Sequence, residues 1–393
     1  MKIICAPDKF KGSLTAMQAA QAMEIGIRRV CPGAQVDLCP VADGGEGTVD
    51  ALVQACHGRR QRTVVTGPLF APVTAEWGLL EGPPRTAVIE MAAASGLGLV
   101  PPARRDPTRT TTFGTGELIW AAMHEGVRRI ILGIGGSATC DGGCGVAAAS
   151  AVLFLDATGR TGPLRIPTGG TLRDIARLEA MGLGEELASV EILVACDVRN
   201  PLTGPEGAAR VYAPQKGATP AQVELLEQGL KHLAELWRHD LGVDVEALAG
   251  AGAAGGLGGG MVAFFGARLA PGIQLVLQAA DFRRRVAGCD LCLTGEGCLD
   301  SQTAAGKVCL GVAQAARQAG VPTVALAGSL GPGAEATLAA GLTEYHAIAP
   351  AGATKEDSMA WAAEYLQAAT AAVVAARMGP SACGGAAENV EAG

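Results

Sequence analysis

The sequence predicts an α/β fold made of two α/β domains, one of them built around a parallel sheet. Short apolar runs that end in Gly, Asp or Pro alternate with longer alanine-rich segments, which is the pattern of βα units. The chain has 393 residues, more than the roughly 100–200 of a typical domain. Hydrophobic residues make up 49% of it and charged residues 18%, so it can bury the cores that two domains require.

The clearest secondary-structure segments lie near the two chain ends, with two further strands between them. Ser13 is expected to cap a first helix that continues to about Val30, and another helix is expected over residues 308–318. Because the terminal segments alternate between strand and helix, both chain ends can contribute to one sheet. Strands are predicted at residues 2–6, 35–41, 129–133, 191–195, 291–294, 323–327 and 344–348.

The domain bounds follow from where this alternation is interrupted. Residues 1–54 and 286–378 are predicted to form the first domain, with residues 55–285 inserted as the second. The inserted part is less regular and contains proline turns and a glycine cluster at residues 250–260. Residues 379–393 show no apolar periodicity and are predicted to form a flexible tail.

Composition excludes several classes of partner. A net charge of −7 and a pI near 5.4 argue against nucleic acid, because a polyphosphate backbone would be repelled. Glycine interrupts the apolar runs before about 18 residues, so no membrane span is expected. The 12 cysteines are scattered through a large chain, which favours reduced core thiols. The N-terminus lacks the apolar region of a signal peptide, so a cytoplasmic protein is expected.

Acidic or basic residues combine with glycine in loops that directly follow predicted strands. The first loop holds Asp8, Lys9 and Lys11 and ends at Ser13, where a helix N-terminus would attract phosphate or carboxylate. A capped helix with solvated lysines is the alternative explanation. The second is Asp43-Gly44-Gly45-Glu46-Gly47, in residues 41–47.

A third acidic loop lies in residues 293–300, with Gly295, Glu296, Gly297 and Asp300, and Lys307 follows it. Carboxylates of this kind could hold Mg²⁺, which prefers one or two carboxylates together with phosphate oxygens and water. Asp197 and Arg199 end another apolar run, and they could serve as a base and an anion contact. A single such turn is more often only structural.

An oxidoreductase that uses NAD is the alternative from a different class. The segment from Gly133 to Ala138 reads G-x-G-x-x-A after a strand, and Asp156 stands where a dinucleotide fold places its ribose-binding acid. Against this reading, Asp141-Gly142-Gly143 interrupts the required crossover helix and leaves only about residues 144–150 for it.

Nine motifs in order carry a resemblance that no one of them would carry alone. They are APDKFKGSL (6–14), ADGGEGT (42–48), EMAAASGL (90–97), GTGE (114–117), GGSAT (135–139), ACDV (195–198), PQKGA (214–218), GAGAAGG (250–256) and TGEG (294–297). Together they resemble the bacterial type-1 glycerate kinases over residues 1 to about 375. The chain departs from the common family pattern at Cys298, where Arg is usual, and at Cys140, where Asn is usual.

The resemblance implies ATP-dependent phosphorylation of D-glycerate with Mg²⁺, in most members at the 2-hydroxyl. It also implies a flavodoxin-like domain from both chain ends with a second α/β domain inserted. Glycerate and ATP are then the expected partners, and a homodimer stays open. Two alternatives within this chemistry are a 3-phosphoglycerate product and a protein that binds without turnover because of Cys298.

Roles are assigned within this hypothesis to the polar and glycine residues of the motifs and loops. Asp197 is the candidate base, Asp43 the second candidate, and Lys11 a catalytic cation. Glu296 and Asp300 are candidates for Mg²⁺, while Asp8, Lys9 and Arg199 are candidates for glycerate. The candidate nucleotide contacts are Ser13, Gly44, Gly45, Ser137, Thr139, Gly295, Gly297 and Lys307.

Overall fold

The computed structural model describes residues 1–180, 187, 189–304 and 308–378, which divide into two compact units. Unit 1 comprises residues 1–42, 54–56 and the described part of 276–393, and unit 2 comprises residues 43–53 and the described part of 57–275. Parallel strands joined through helices occur in both units, which confirms the α/β class. The domain bounds expected from the sequence stay a prediction.

The strands and helices are labelled in chain order. Strands β1 to β13 are Lys2–Cys5, Gln35–Leu38, Arg59–Thr66, Pro72–Leu80, Thr86–Glu90, Arg129–Gly133, Val152–Leu155, Arg177–Ala180, Glu191–Ala195, Arg268–Ala270, Leu291–Leu299, Thr323–Leu330 and Glu344–Ala347. Helices α1 to α15 are Ala16–Val30, Thr48–Ala55, Ala92–Ser95, Phe113–His124, Cys144–Ala149, Ala208–Tyr212, Pro220–Leu236, Leu257–Phe265, Gly272–Ala279, Phe282–Val286, Ser301–Ala304, Val308–Gln318, Ala336–Ala340, Lys355–Ala360 and Ala362–Met378.

Unit 1 is built on a five-stranded parallel sheet in the order β13-β12-β11-β1-β2. Strand β1 pairs with β2 on one side and β11 on the other, so the two ends of the chain share this sheet, as expected. Helices α1 and α15 pack closely together at Gly26, where a Cβ atom would lie only 2.4 Å from the Gln367 carbonyl oxygen. Apolar side chains such as Met23, Ile27 and Leu366 fill the core between these helices and the sheet.

The first helix begins two residues later than Ser13 would place it. Thr15 is the N-cap, with its hydroxyl accepting the Gln18 N–H and the Gln18 side chain accepting the Thr15 N–H. The Ser13 hydroxyl instead donates to the Phe10 carbonyl oxygen at 3.1 Å. The prediction of a Ser13 cap is therefore wrong, because the reciprocal bonds of Thr15 and Gln18 satisfy the helix start more fully.

Strand β11 continues five residues beyond its predicted end, so Gly295 and Gly297 lie in the strand rather than in a loop after it. The register pairs Gly295 with Leu326 and Cys298 with Ser329 of β12. A Cβ atom at Gly295 would lie 2.2 Å from the Leu326 carbonyl oxygen. Glycine here permits close approach of two backbones within a sheet. In the sequence the same glycines indicate a turn.

Unit 2 contains a six-stranded mixed sheet in the order β10-β9-β6-β5-β4-β3. Strands β10, β9, β6 and β5 are parallel to one another, β4 is antiparallel to β5, and β3 is antiparallel to β4. Strands β6 and β9 have the bounds predicted for them. A second apolar cluster contains Phe154, Trp237 and Phe264, whose rings pack edge to face.

The topology of unit 2 does not match a dinucleotide-binding unit. Helix α5 after the Gly133 loop has six residues, and β7 pairs antiparallel with β8 in a separate two-stranded sheet. Asp156 therefore follows a strand outside the parallel sheet, where its carboxylate accepts hydrogen bonds from Thr158 and Arg160. In a dinucleotide fold the strand that ends in the ribose-binding acid lies beside the first strand of the unit. Here the neighbours of β6 are β9 and β5, not β7.

Two further expectations can be compared with the described residues. No helix among the described residues is both long enough and apolar enough to span a bilayer. Ten of the described cysteines are free thiols. Cys31 is disulfide-bonded, so the expectation of reduced thiols is wrong at that position.

Replacing Gly295 with Ala should destabilise unit 1, because the added Cβ atom would overlap the Leu326 carbonyl oxygen inside the sheet. We expect the free energy of unfolding to fall by about 3 kcal/mol. The matched control is Gly33→Ala, where the added atom meets nothing within 4 Å and the change should stay within about 0.5 kcal/mol. Urea denaturation measures both, and equal midpoints for the two variants would contradict the packing argument.

Candidate active site

The candidate site of unit 2 begins where two neighbouring parallel strands end. Strands β6 and β9 are paired through to Gly133 and Ala195, their last residues. The loops that follow, residues 134–137 and 196–198, therefore start at the same edge of the sheet. Ligands of open α/β sheets bind outside the carboxyl ends of the strands, where such loops lie.

Glycines bring the Asp43 loop against this edge. A Cβ atom at Gly133 would lie 2.2 Å from the Gly44 carbonyl oxygen, and one at Gly272 would lie 1.7 Å from the Asp43 carbonyl oxygen. Gly44 itself has a φ of +87°, and a Cβ atom there would lie 2.4 Å from the Ala195 Cβ. The loop can reach the strand ends because three residues that face one another lack side chains.

The loops enclose a cavity of about 380 Å³ within unit 2. Its size falls in the usual range for small-molecule sites, about 300–1,000 Å³. Several predicted site residues line it: Asp43, Gly44, Gly45, Ser137 and Asp197. Its wall also contains Gly135, Gly136, Tyr212 and Lys216. Thr139 and Arg199 do not line this cavity.

Two carboxylates of the cavity are held by backbone N–H groups. The Asp43 Oδ1 atom accepts the Gly45 N–H at 3.0 Å, and the Asp197 Oδ1 atom accepts the Gly272 N–H at 3.0 Å. A hydrogen bond to one carboxylate oxygen restricts rotation of the whole group. Both side chains are thus oriented at the strand ends before any ligand arrives.

Lys216 is the cation of this cavity and is only 3% exposed. Its Nζ atom donates to the Ser137 Oγ at 2.6 Å and to the Thr139 carbonyl oxygen at 2.7 Å. Burial lowers the pKa of its ammonium group from 10.5 to about 8, while the nearby Cys140 and Asp141 side chains act in the opposite direction. The group is mostly protonated at neutral pH, in a place where its charge is poorly hydrated.

The loop that holds Ser137 is anchored to the short segment after α3. The Ala138 N–H donates to the Ser95 carbonyl oxygen at 2.9 Å, and the Leu97 N–H donates to the Gly136 carbonyl oxygen at 2.8 Å. Ser137 is therefore fixed from its backbone and, through Lys216, from its side chain. Gly135 and Gly136, which precede Ser137, are exposed, so the loop is open to a ligand on that side.

Asp141, the acid that interrupts the segment after Ser137, has a structural position. Its carboxylate is fully buried and accepts hydrogen bonds from the backbone and hydroxyl of Thr112 and from the N–H groups of Gly143 and Gly145. Burial raises the pKa of Asp141, and these hydrogen bonds act to lower it. Cys140 beside it is also buried, with a pKa raised to about 12, which leaves it an inert thiol.

A second group of candidate residues lies in unit 1, around the hydroxyl of the buried Thr303. This hydroxyl donates to the Glu296 Oε1 at 2.7 Å and accepts the Asp300 N–H at 3.3 Å, while the Thr303 N–H donates to the Asp300 Oδ1 at 3.3 Å. Two half-buried carboxylates are thereby held near one hydroxyl. Such a pair fits Mg²⁺, which takes one or two carboxylates and completes its shell with phosphate and water oxygens.

The described residues contain no group of three or more His, Cys, Asp or Glu side chains arranged to hold a metal ion. A cation at Glu296 and Asp300 would therefore depend on oxygens from a ligand. This dependence is typical of Mg²⁺ in enzymes that act on phosphates.

The other predicted residues of unit 1 lie in the loop after β1 or have no described position. The Asp8 side chain accepts the Lys9 N–H at 2.7 Å, and the Asp8 N–H donates to the Gly295 carbonyl oxygen at 2.8 Å. Lys11 is exposed, and its backbone nitrogen lies 3.2 Å from where a Gly297 Cβ would stand. Lys307 lies outside the described residues.

Sequence inspection did not assign a role to Lys216 or Thr303. Lys216 is part of the PQKGA motif, but it is the last residue of a short 3₁₀ helix, Pro214–Lys216, and does not follow a strand. Lys216 therefore lies outside the strand-end loops in which ligand contacts were expected. A lone lysine between a proline and a glycine is the only signal that could have drawn attention to it. Cys298 in β11 is exposed.

Comparison with known proteins agrees with the resemblance that the nine motifs carry. A model of the glycerate kinase family matches residues 3–378. A glycerate kinase from Halalkalibacterium halodurans is 50% identical over 357 residues, which cover 91% of this chain and 93% of that protein. A glycerate 2-kinase from Escherichia coli is 48% identical over 330 residues, covering 84% and 86% of the two chains. A crystal structure from Salmonella typhimurium LT2, described as a candidate glycerate kinase 2, has a TM-score of 0.86 at 46% identity, covering 96% and 98%.

The lowered pKa of Lys216 predicts a change of stability with pH. Between about pH 8 and 10.5 the unfolded chain keeps a proton that the folded protein releases, so the free energy of unfolding should rise with pH in this window. From pH 8 to 9.5 wild type should gain about 2 kcal/mol relative to Lys216→Met. Chemical denaturation at both pH values measures this, with Lys231→Met, at an exposed lysine of unit 2, as the control. A constant difference between wild type and Lys216→Met would show that this residue titrates normally.

Proposed function

The chain belongs to the glycerate kinase family, and we propose that it transfers a phosphoryl group from ATP to the 2-hydroxyl of D-glycerate. As a member of this family it is a kinase, a phosphotransferase that uses ATP. The choice of the 2-hydroxyl is supported by the glycerate 2-kinase from Escherichia coli, at 48% identity. The observation that carries the proposal is the unit 2 cavity, with two oriented carboxylates and one buried ammonium group.

The cavity suits a small polyhydroxylated acid. Glycerate combines two hydroxyl groups, which donate hydrogen bonds, with one carboxylate, which only accepts them. The carboxylates of Asp43 and Asp197 can accept from the hydroxyl groups, and backbone and Lys216 donors can serve the acid group. The volume of about 380 Å³ accommodates such a molecule and leaves room for the transferred phosphoryl group.

Asp197 is the proposed acceptor of the hydroxyl proton, with Asp43 as the second candidate. Phosphoryl transfer passes through a loose transition state, so the hydroxyl needs orientation more than strong deprotonation. The bond from the Gly272 N–H holds the Asp197 carboxylate in one direction at the edge of the cavity. A carboxylate fixed in this way can align the attacking oxygen and take its proton as the new bond forms.

The residues of unit 1 are proposed to serve the nucleotide and its cation. Glu296 and Asp300 would hold Mg²⁺, with Thr303 positioning both carboxylates. When bound, Mg²⁺ supplies neutralisation of charge on the phosphate oxygens. Lys11 is an exposed cation that can contact an anion. The space beside Gly295 is filled by Leu326 inside the sheet, so this glycine serves strand packing rather than a phosphate. The cytoplasm is the proposed location, supported by the ten free thiols among the described cysteines, with Cys31 the exception.

The experiment that tests the proposal is a coupled assay of ADP release with purified protein, ATP, Mg²⁺ and D-glycerate. Identification of the product by NMR distinguishes 2-phosphoglycerate, the expected result, from 3-phosphoglycerate. Glycerate-dependent ADP release with only 3-phosphoglycerate would overturn the regiochemistry and leave the kinase assignment. Binding of glycerate without ADP release would favour a non-catalytic binding protein.

Asp197→Asn should keep the fold and lower kcat by about two to four orders of magnitude, because the amide cannot accept the hydroxyl proton. The KM for ATP should change little, since the fold and the other unit are untouched. Asp174→Asn, at an exposed aspartate of unit 2 outside the cavity, is the control and should keep the wild-type rate. If Asp197→Asn keeps a near-normal kcat while Asp43→Asn does not, the base is Asp43.

Glu296→Gln should raise the Mg²⁺ concentration needed for half-maximal activity by about tenfold or more, because one charged ligand is lost. The titration is run at saturating ATP and glycerate, starting from protein treated with chelator. Glu335→Gln, at an exposed glutamate of the same unit, should leave the Mg²⁺ curve in place. An unchanged curve for Glu296→Gln would remove this residue from the proposed cation site.

A further inference from the structure

Lys216 has hydrogen-bonding capacity that the protein does not use. Its ammonium group has three N–H donors, of which one is bound by the Ser137 Oγ and one by the Thr139 carbonyl oxygen. The third has no acceptor among the described residues. A buried charge usually has all of its donors satisfied, because an unpaired donor away from water costs about 1–3 kcal/mol. The third donor therefore points to an acceptor supplied by a ligand.

The same contact determines how Ser137 can bind a ligand. An ammonium group can only donate, so the Ser137 oxygen must accept in the 2.6 Å bond from Lys216. The hydrogen of the Ser137 hydroxyl is then directed away from Lys216. Both residues line the cavity, where Gly135 and Gly136 leave the entry to Ser137 open. Lys216 and Ser137 thus present one donor each to the same space.

The charge of the cavity selects the kind of anion that fits. Its charged lining residues are Asp43, Asp197 and Lys216, which sum to −1 when the lysine is protonated. A polyphosphate would meet two carboxylates and a single cation, so repulsion would exceed attraction. A small monoanion can place its charge on Lys216 and its neutral hydroxyl groups near the carboxylates. This pattern matches an α-hydroxy carboxylic acid.

We propose that Lys216 and Ser137 bind the carboxylate of glycerate and so determine the enzyme's preference for an acid over an uncharged polyol. This inference rests on the proposed function, since it names the substrate contact of the same cavity. Arg199 is one of the candidate glycerate contacts from the sequence, but it is exposed and does not line the cavity. Binding the carboxylate at Lys216 leaves the hydroxyl groups of glycerate on the side of the two aspartates.

The test compares glycerate and ATP kinetics in Lys216→Gln, Lys216→Arg and Ser137→Ala. Lys216→Gln should raise the KM for glycerate by about 30- to 150-fold, the effect of losing a charge-assisted hydrogen bond, and leave the KM for ATP within about twofold. Ser137→Ala should raise the KM for glycerate by about tenfold. Lys216→Arg keeps the charge and should recover part of the affinity. Lys231→Gln removes an exposed lysine charge from the same unit and should resemble wild type.

A second readout does not depend on turnover. Glycerate should raise the melting temperature of wild type, and glycerol at the same concentration should not. Lys216→Gln should lose the shift caused by glycerate, and Ser137→Ala should keep part of it. Ser137→Ala removes only one hydroxyl and should fold even if Lys216→Gln does not. It therefore still tests the site if Lys216→Gln is unfolded.

The outcomes separate the two proposals. A wild-type KM for glycerate in folded Lys216→Gln and Ser137→Ala would overturn the carboxylate site while the kinase assignment stands. A rise in the KM for ATP alone would assign the same residues to a phosphate and also overturn it. If wild type releases no ADP with glycerate, the proposed function fails, and loss of the glycerate-induced shift in Lys216→Gln would still support the anion site.

Discussion

The backbone contact between the Asp43 loop and the ends of β6 and β9 is the constraint on which the cavity of unit 2 depends. Gly44 can lie against Ala195, and Gly133 and Gly272 can lie against the loop, only because none of the three carries a Cβ atom. The contact brings Asp43, at the start of unit 2, to two strand ends of the same unit. Any side chain at these three positions would push the loop away from the strand ends, so the cavity depends on their being glycine.

A buried lysine in this cavity has an energetic consequence for the whole unit. Removing an ammonium group from water is unfavourable, which is why the pKa of Lys216 falls to about 8. Ser137 and the Thr139 carbonyl offset part of the loss through two short hydrogen bonds. An anion bound beside the charge would offset more. Binding of an anion at the proposed site would therefore stabilise unit 2.

Sequence patterns were sufficient where one local rule decided the structure, and insufficient where distant groups decided it. Strands β6 and β9 are short buried runs with clear ends, and their bounds were predictable. The start of α1 depended on a reciprocal bond between Thr15 and Gln18 that competes with Ser13. The role of Lys216 depended on Ser137, 79 positions away in the chain. No local pattern contains such a contact, so the cation of the site could only be found in three dimensions.

The departures from the family pattern at Cys140 and Cys298 differ in physical meaning. Cys140 is buried in an apolar cluster beside Asp141, where a neutral thiol packs well and the high pKa prevents ionisation. Asn is more polar there and would require partners of its own. Cys298 is exposed on β11, two residues beyond Glu296 and two before Asp300. Cys in place of Arg there removes a cation from between the two proposed Mg²⁺ ligands. With one cation fewer, neutralisation of phosphate charge at the proposed site of unit 1 would rely more heavily on Mg²⁺ and Lys11.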